Sequence, residues 1–138
     1  MKAYKFLEHT ADVKFQAFGK TIEEAFKNSA LAFQETLTQK TKIKPKIKKK
    51  LTIESKNRGT ERVLLDFLEE FLYLFDTEGF VLSKITDIKI TKNNLVAEVI
   101  GDNYKNYKFT NDIKAVTYND MFVKEEKDKW TCQVVLDV

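Results

Sequence analysis

The fold turns on residues 60–79, Thr60-Glu61-Arg62-Val63-Leu64-Leu65-Asp66-Phe67-Leu68-Glu69-Glu70-Phe71-Leu72-Tyr73-Leu74-Phe75-Asp76-Thr77-Glu78-Gly79. Apolar side chains recur there as pairs, Val63/Leu64, Phe67/Leu68, Phe71/Leu72 and Leu74/Phe75, at the three- and four-residue spacing of one helical face. Paired positions widen that face, so the spacing predicts a deeply buried helix. Thr60 is placed to cap its start. Gly79, which enters the left-handed region without a Cβ clash, is placed to cap its end. The acids Asp66, Glu69, Glu70, Asp76 and Glu78 mostly fall off the apolar face and read as a solvated surface in preference to a metal-binding helix.

One other segment is helical. After Gly19, Thr21-Ile22-Glu23-Glu24 has the form of a capping box: the Thr21 hydroxyl accepts from the Glu24 N–H, and the Glu24 carboxylate returns to the N–H of Thr21. Ile22, Ala25, Phe26, Ser29, Ala30, Phe33 and Leu37 make a narrower stripe, with Lys27, Asn28, Gln34 and Glu35 mostly off it, fading near Thr38. The rest alternates with the period of strands: residues 3–7, 13–18, 51–53, 85–91, 95–100, 113–118, 121–123 and 130–136. Asn93-Asn94 and Asn119-Asp120 read as two-residue turns, and residues 101–106 as a loop. The expectation is one α+β domain over residues 1–138: two layers, a mainly antiparallel sheet of seven or eight strands packed against two helices.

The 138 residues carry 24 Lys and Arg against 21 Asp and Glu, unevenly placed. From Lys40 to Lys50 there are seven lysines and no acid, leaving 17 basic against 21 acidic residues elsewhere, a net of −4. That segment holds the only proline, Pro45, which rules out a regular helix through it. Its alternating Lys and Ile fit an exposed edge strand whose lysines discourage aggregation. They also fit a phosphate-backbone contact through Lys46, Lys48, Lys49 and Lys50, although no interleaved aromatics or arginines signal base reading. No apolar run reaches the roughly 20 residues of a membrane span, and the N-terminus lacks a signal-peptide core. The single cysteine, Cys132, excludes an intrachain disulfide and any zinc site built on several thiolates. In its alternating apolar setting it reads as a small core residue, and the cytoplasm is the expected compartment.

Catalytic constellations are scarce. The chain has one histidine, His9, and four glycines. There is no phosphate-cradling loop, no zinc spacing and no base with a recognisable partner, so a metal-dependent hydrolase is the weakest reading. The polar residues that stand out are Glu8-His9-Thr10-Ala11-Asp12, between two strands near the N-terminus, and Asp137-Val138 at the other end.

Several stretches, in order, carry a family resemblance. Glu8 to Val13, Gly19 to Phe26, Phe71 to Phe80, Ile113 to Tyr118 and Leu136-Asp137-Val138 together resemble the archease family over nearly the whole chain. Its members are non-catalytic activators of the RtcB-type RNA ligase that joins tRNA halves. The resemblance implies that this protein promotes guanylylation and turnover of such a ligase and broadens the nucleoside triphosphates it accepts. It also implies a divalent metal, Ca²⁺ foremost with Mg²⁺ or Mn²⁺ as substitutes, at Asp12, Asp137 and Val138.

The chemistry of those residues suits the implication, because carboxylate and carbonyl oxygens favour hard cations. If Val138 ends the chain, its α-carboxylate adds an anionic donor. Taken without the resemblance, Asp12 reads as a turn cap and Asp137 as a solvated residue. Beside a metal, His9 could be a ligand, a donor to a metal-binding group or a packed residue holding the loop, and the last ranks first because a neutral imidazole is a poorer ligand than carboxylate for a hard cation. The sequence departs from the family pattern at Lys14-Phe15, where a Gly-apolar pair is common, and at Tyr107 and Asn119, where histidines are frequent. The alternative function is an RNA-binding or chaperone-like module using Lys40 to Lys50.

Overall fold

In the computed structural model, which describes residues 1–9, 11–109 and 112–138, the alternating and helical patterns resolve into seven strands and two helices. In chain order they are β1 (Tyr4–Leu7), β2 (Val13–Gly19), α1 (Ile22–Thr38), β3 (Ile47–Glu54), α2 (Thr60–Glu78), β4 (Phe80–Thr91), β5 (Asn94–Asn103), β6 (Ala115–Glu126) and β7 (Lys129–Asp137), with one 3-10 turn at Tyr104–Asn106. All strand pairs are antiparallel. They form two sheets, β1-β2-β7-β6 and β3-β5-β4, where the sequence suggested one. The chain-terminal strands thus become neighbours, and β3 with its lysines lies at a sheet edge.

Both sheets and both helices share one core. Phe26 of α1 stacks on Phe67 of α2 at 6.2 Å between ring centroids, and Phe67 meets Phe71 edge-on at 5.0 Å. Phe15, Val134 and Leu136 of the first sheet and Leu82, Leu95 and Val99 of the second join the same buried cluster. Each such side chain contributes about 1.5–3 kcal/mol on full burial. Cys132 belongs to this core, and burial pushes its thiol up to about 12. Among the described residues no helix is long and apolar enough to cross a membrane.

Several local expectations shift. The Thr21 hydroxyl accepts from the Glu24 N–H at 3.1 Å, but the Glu24 carboxylate returns to the N–H of Lys20, at 2.9 Å, not to that of Thr21. Gly59, not Thr60, caps α2, and Thr60 is its first helical residue. Gly79 has φ 69° and its N–H donates to the Leu74 and Phe75 carbonyls, as a left-handed cap does. The β4–β5 turn is Lys92-Asn93, one residue before the expected pair, since Thr91 faces Asn94. Residues 101–103 continue β5 instead of looping. Asn119-Asp120 is no turn: β6 runs through it as one strand, with a register break between Thr117 and Phe122. That merges two expected strands and brings the number to seven.

Gln34, expected off the apolar stripe, is buried because its Oε1 accepts from the Leu82 N–H at 2.9 Å. The α1 side chain thereby satisfies a strand donor where the β4–β5 register slips, between Leu82 and Lys84.

Candidate functional site

Strand pairing decides where the predicted site residues go. β2 and β7 pair from Gly19 opposite Trp130 to Val13 opposite Leu136. Extending that register by one position sets Asp12 against Asp137 at the end of the ladder. On the far side of β7, Ala115 of β6 faces Asp137, and the Lys114 N–H donates to the Asp137 carbonyl at 2.8 Å. The backbone of Asp137 is therefore anchored from one side while its side chain stays half-buried. Asp12 and Val138 are likewise half-buried. The fold thus sets the start of β2 beside the end of β7, next to the residues from which the sequence suggested a site.

The approach to Asp12 is irregular. Ala11 adopts φ 70°, a left-handed conformation for a residue with a Cβ, which reverses the chain just before β2 begins. Thr10, the middle of the Glu8–Asp12 stretch, lies outside the described residues. The His9 Nδ1 sits 3.9 Å from Asp12 Oδ2, too far for a hydrogen bond, and is buried with no hydrogen-bond partner among the described residues. His9 is thus beside the carboxylate without satisfying it.

Oxygen donors at this end fit a hard cation in kind. Among the described residues, no hydrogen bond reaches either the Asp12 or the Asp137 carboxylate, and half-buried carboxylates without donors are stabilised by a bound cation. The donor count is small. Among the described residues no three His, Cys, Asp or Glu side chains gather as a metal-binding group. The two carboxylates alone would leave a cation here short of donors, so further oxygens from Val138, the main chain or water would be needed.

Two neighbours fix the surroundings. Lys14, standing in place of the expected small residue, points its ammonium at Asp120 Oδ2, 3.8 Å away. The Asp120 carbonyl accepts from Gln133 Nε2 at 2.8 Å, and Gln16 Nε2 donates to Gln133 Oε1 at 2.9 Å. These contacts tie the irregular stretch of β6 to the sheet face next to the site. Tyr118, in that stretch, is exposed.

The structure also holds a carboxylate the sequence did not single out. Asp102 is buried at the end of β5, accepting from the Tyr107 hydroxyl at 2.7 Å, the Asn103 N–H at 2.8 Å and Asn106 Nδ2 at 3.1 Å. The Tyr107 hydrogen bond above all, then the Asn103 N–H, hold its carboxyl below the usual range against the opposing pull of burial, with smaller help from Asn106 and the Lys46 charge. Tyr107 in turn accepts from the Lys44 N–H at 2.9 Å. This network fastens the basic segment to β5. The turn-forming run Gly101-Asp102-Asn103 masked it, because such residues ordinarily mark exposed loops.

The lysines of that segment have unequal surroundings. Lys49 pairs with Glu78, and Lys46 lies within the field of Asp102, whereas Lys48 and Lys50 are exposed opposite Ile100 and Glu98.

Comparison with known proteins places this geometry in a lineage. Residues 4–138 match the family model described as the Archease protein family (MTH1598/TM1083). The protein archease of Methanosarcina barkeri is 38% identical, covering 99% of this chain and 97% of its own. That of Pyrobaculum islandicum is 38% identical, covering 98% and 95%. Among solved structures, the solution structure of Methanobacterium thermoautotrophicum protein 1598 superposes with a TM-score of 0.83 at 30% identity, over 100% of both chains. A Thermotoga maritima crystal structure, described as an archease and possible chaperone, shares the fold with a TM-score of 0.66 at 22% identity, over 97% of this chain and 96% of that one.

Proposed function

Because this chain belongs to the archease family, we propose that it is a non-catalytic accessory protein of an RtcB-type RNA ligase in tRNA splicing. It acts in the cytoplasm, promotes guanylylation and turnover of the ligase, and widens the nucleoside triphosphates the ligase accepts. The observation that carries this reading is the meeting of the chain ends. The β2–β7 ladder ends with Val13 opposite Leu136, one residue from Asp12 and one from Asp137, and among the described residues no hydrogen bond reaches either carboxylate.

Asp12, Asp137 and Val138 would hold a divalent cation, Ca²⁺ by the hardness of the donors, with Mg²⁺ or Mn²⁺ as substitutes. Bound there, the cation supplies positive charge that neutralises and orients phosphate oxygens. The chain itself does the positioning. The β2–β7 ladder would keep the segments that carry the two acids side by side, the Lys114 N–H holds the Asp137 backbone, and His9 Nδ1 lies 3.9 Å from Asp12 Oδ2, where it would help to hold the loop.

Asp12→Ala and Asp137→Ala are expected to keep the fold, read as an unchanged far-UV circular dichroism spectrum, and to lose most of the activation of ligase guanylylation. Full activation by both variants would detach this site from the function. A second reading, an RNA-binding or chaperone-like module using Lys40 to Lys50, draws on the exposure of Lys48 and Lys50 and on the description of the Thermotoga relative. It predicts that charge reversal at Lys48 and Lys50 collapses RNA affinity.

A further inference from the structure

The outer face of the β1-β2-β7-β6 sheet carries charge that the fold leaves unneutralised. Strand register places Lys5, Gln16, Phe18, Lys129, Thr131, Gln133, Phe122 and Lys124 on one side of this sheet, opposite the core residues Phe15, Ala17, Cys132 and Val134. The ammonium groups of Lys5 and Lys129 both lie over the ring of Phe18, 6.0 Å and 4.4 Å from its centroid. Lys124 lies over Phe122 at 4.6 Å. Lys127 completes the group at the β6–β7 turn, beside a surface depression lined by Phe122, Lys124, Glu126, Lys127, Lys129 and Thr131.

Two like charges brought over one ring repel each other, and the ring's negative face offsets this only in part. Two lysines elsewhere are met by acids, Lys14 by Asp120 and Lys49 by Glu78. Lys5, Lys124, Lys127 and Lys129 are all exposed and, among the described residues, make no ion pair within 4 Å. Of the acids beside them in sequence, Glu126 and Asp128 lie at this face and its turn and offset half of the four charges, while Glu125 alternates to the other side of β6. Outside Lys40 to Lys50 the chain has a net charge of −4, so this concentration is not the general surface.

We propose that this sheet face binds the phosphate backbone of a single-stranded nucleic acid. A phosphodiester chain supplies closely spaced anions to lysines on adjacent strands. A protein partner would need exposed apolar anchors. Here Phe18 is buried under lysine stems, and each ring already carries an ammonium. This surface is separate from the Asp12–Asp137 end and independent of the ligase reading.

The test is fluorescence anisotropy with a labelled 12-residue oligouridylate between 50 and 200 mM salt. Four lysine–phosphate contacts give a slope of log affinity on log salt of about −2.8, roughly a 50-fold loss over that range. Lys124→Gln combined with Lys129→Gln halves the slope to about −1.4, a loss of roughly sevenfold. Lys89→Gln with Lys92→Gln, at exposed positions on the other sheet and its β4–β5 turn, leaves the slope unchanged. An unaltered slope in the Lys124/Lys129 variant, a slope carried instead by Lys48→Gln with Lys50→Gln, or no binding at 50 mM salt overturns the proposal. So does equal capture by polyglutamate or by anionic phospholipid vesicles, which would assign the face to a protein or a membrane.

Discussion

Gly101 is the position where the second sheet tolerates least, and Gly101→Ala tests the account of its packing. A Cβ built there would lie 1.9 Å from the Val81 carbonyl oxygen and 2.9 Å from both the Val81 carbonyl carbon and the Phe80 ring. Carbon–oxygen contacts between strands settle near 3.3 Å, so β5 must retreat from β4 by about 1.4 Å. Gly101 faces Leu82 on one side and Ile47 on the other, and its carbonyl accepts from the Lys46 N–H at 2.8 Å. A retreat of that size weakens about two backbone hydrogen bonds at about 1 kcal/mol each, with overpacking adding about 1–3 kcal/mol. The expected loss is about 3–5 kcal/mol. At a urea dependence of about 2 kcal/mol per molar, the unfolding midpoint falls by about 2 M. Gly59→Ala is the control. Gly59 has φ +94° and ψ 166° but its Cβ would meet nothing closer than 3.8 Å, so it loses only the backbone penalty of about 1–3 kcal/mol. If Gly101→Ala loses no more than Gly59→Ala, the close approach of β4 and β5 does not constrain the sheet.

Two further predictions concern titratable groups. Asp102 has its folded carboxyl held low by Tyr107, so its contribution to stability is fully present above the ordinary carboxylate range and is lost as pH falls through the folded value. Tyr107→Phe removes the largest cause; acid unfolding monitored by circular dichroism then begins at higher pH, and an identical acid limb would refute the assignment. Cys132, buried and pushed up to about 12, is expected to resist a thiol-reactive disulfide at pH 8 in the native protein and to react fully in denaturant. Rapid labelling of the native protein would contradict its place in the core.

Much of the fold was legible because burial imposes its period on sequence. The paired apolar residues of α2 and the Gly79 cap located that helix to within a residue. Legibility ended where side chains took backbone roles. Gln34 looked like a polar residue on the outer face of α1, yet its amide serves a β4 donor 48 residues away, which no local pattern encodes. Asn119-Asp120 had the composition of a tight turn, but Gln133 accommodates it within β6 by donating to the Asp120 carbonyl. The division into two sheets was unreadable, because alternation reports which side chains are buried and not which strands are partners. For the candidate site, the types of Asp12 and Asp137 suggested a hard cation, but only the β2–β7 register gave them a common end of the sheet. Asp102 went unnoticed since its partner Tyr107, and the Lys44 N–H that donates to Tyr107, come together only in the folded chain.

The central claim is that this protein activates a ligase without itself performing the reaction. Its most direct test mixes catalytic amounts of the chain with an RtcB-type ligase, labelled GTP and a divalent metal, and follows the covalent ligase–guanylate species on a denaturing gel. The account predicts faster and more complete labelling of the ligase than with ligase alone, and no label on this chain. Labelling of the ligase at the same rate and extent with and without the protein would contradict it.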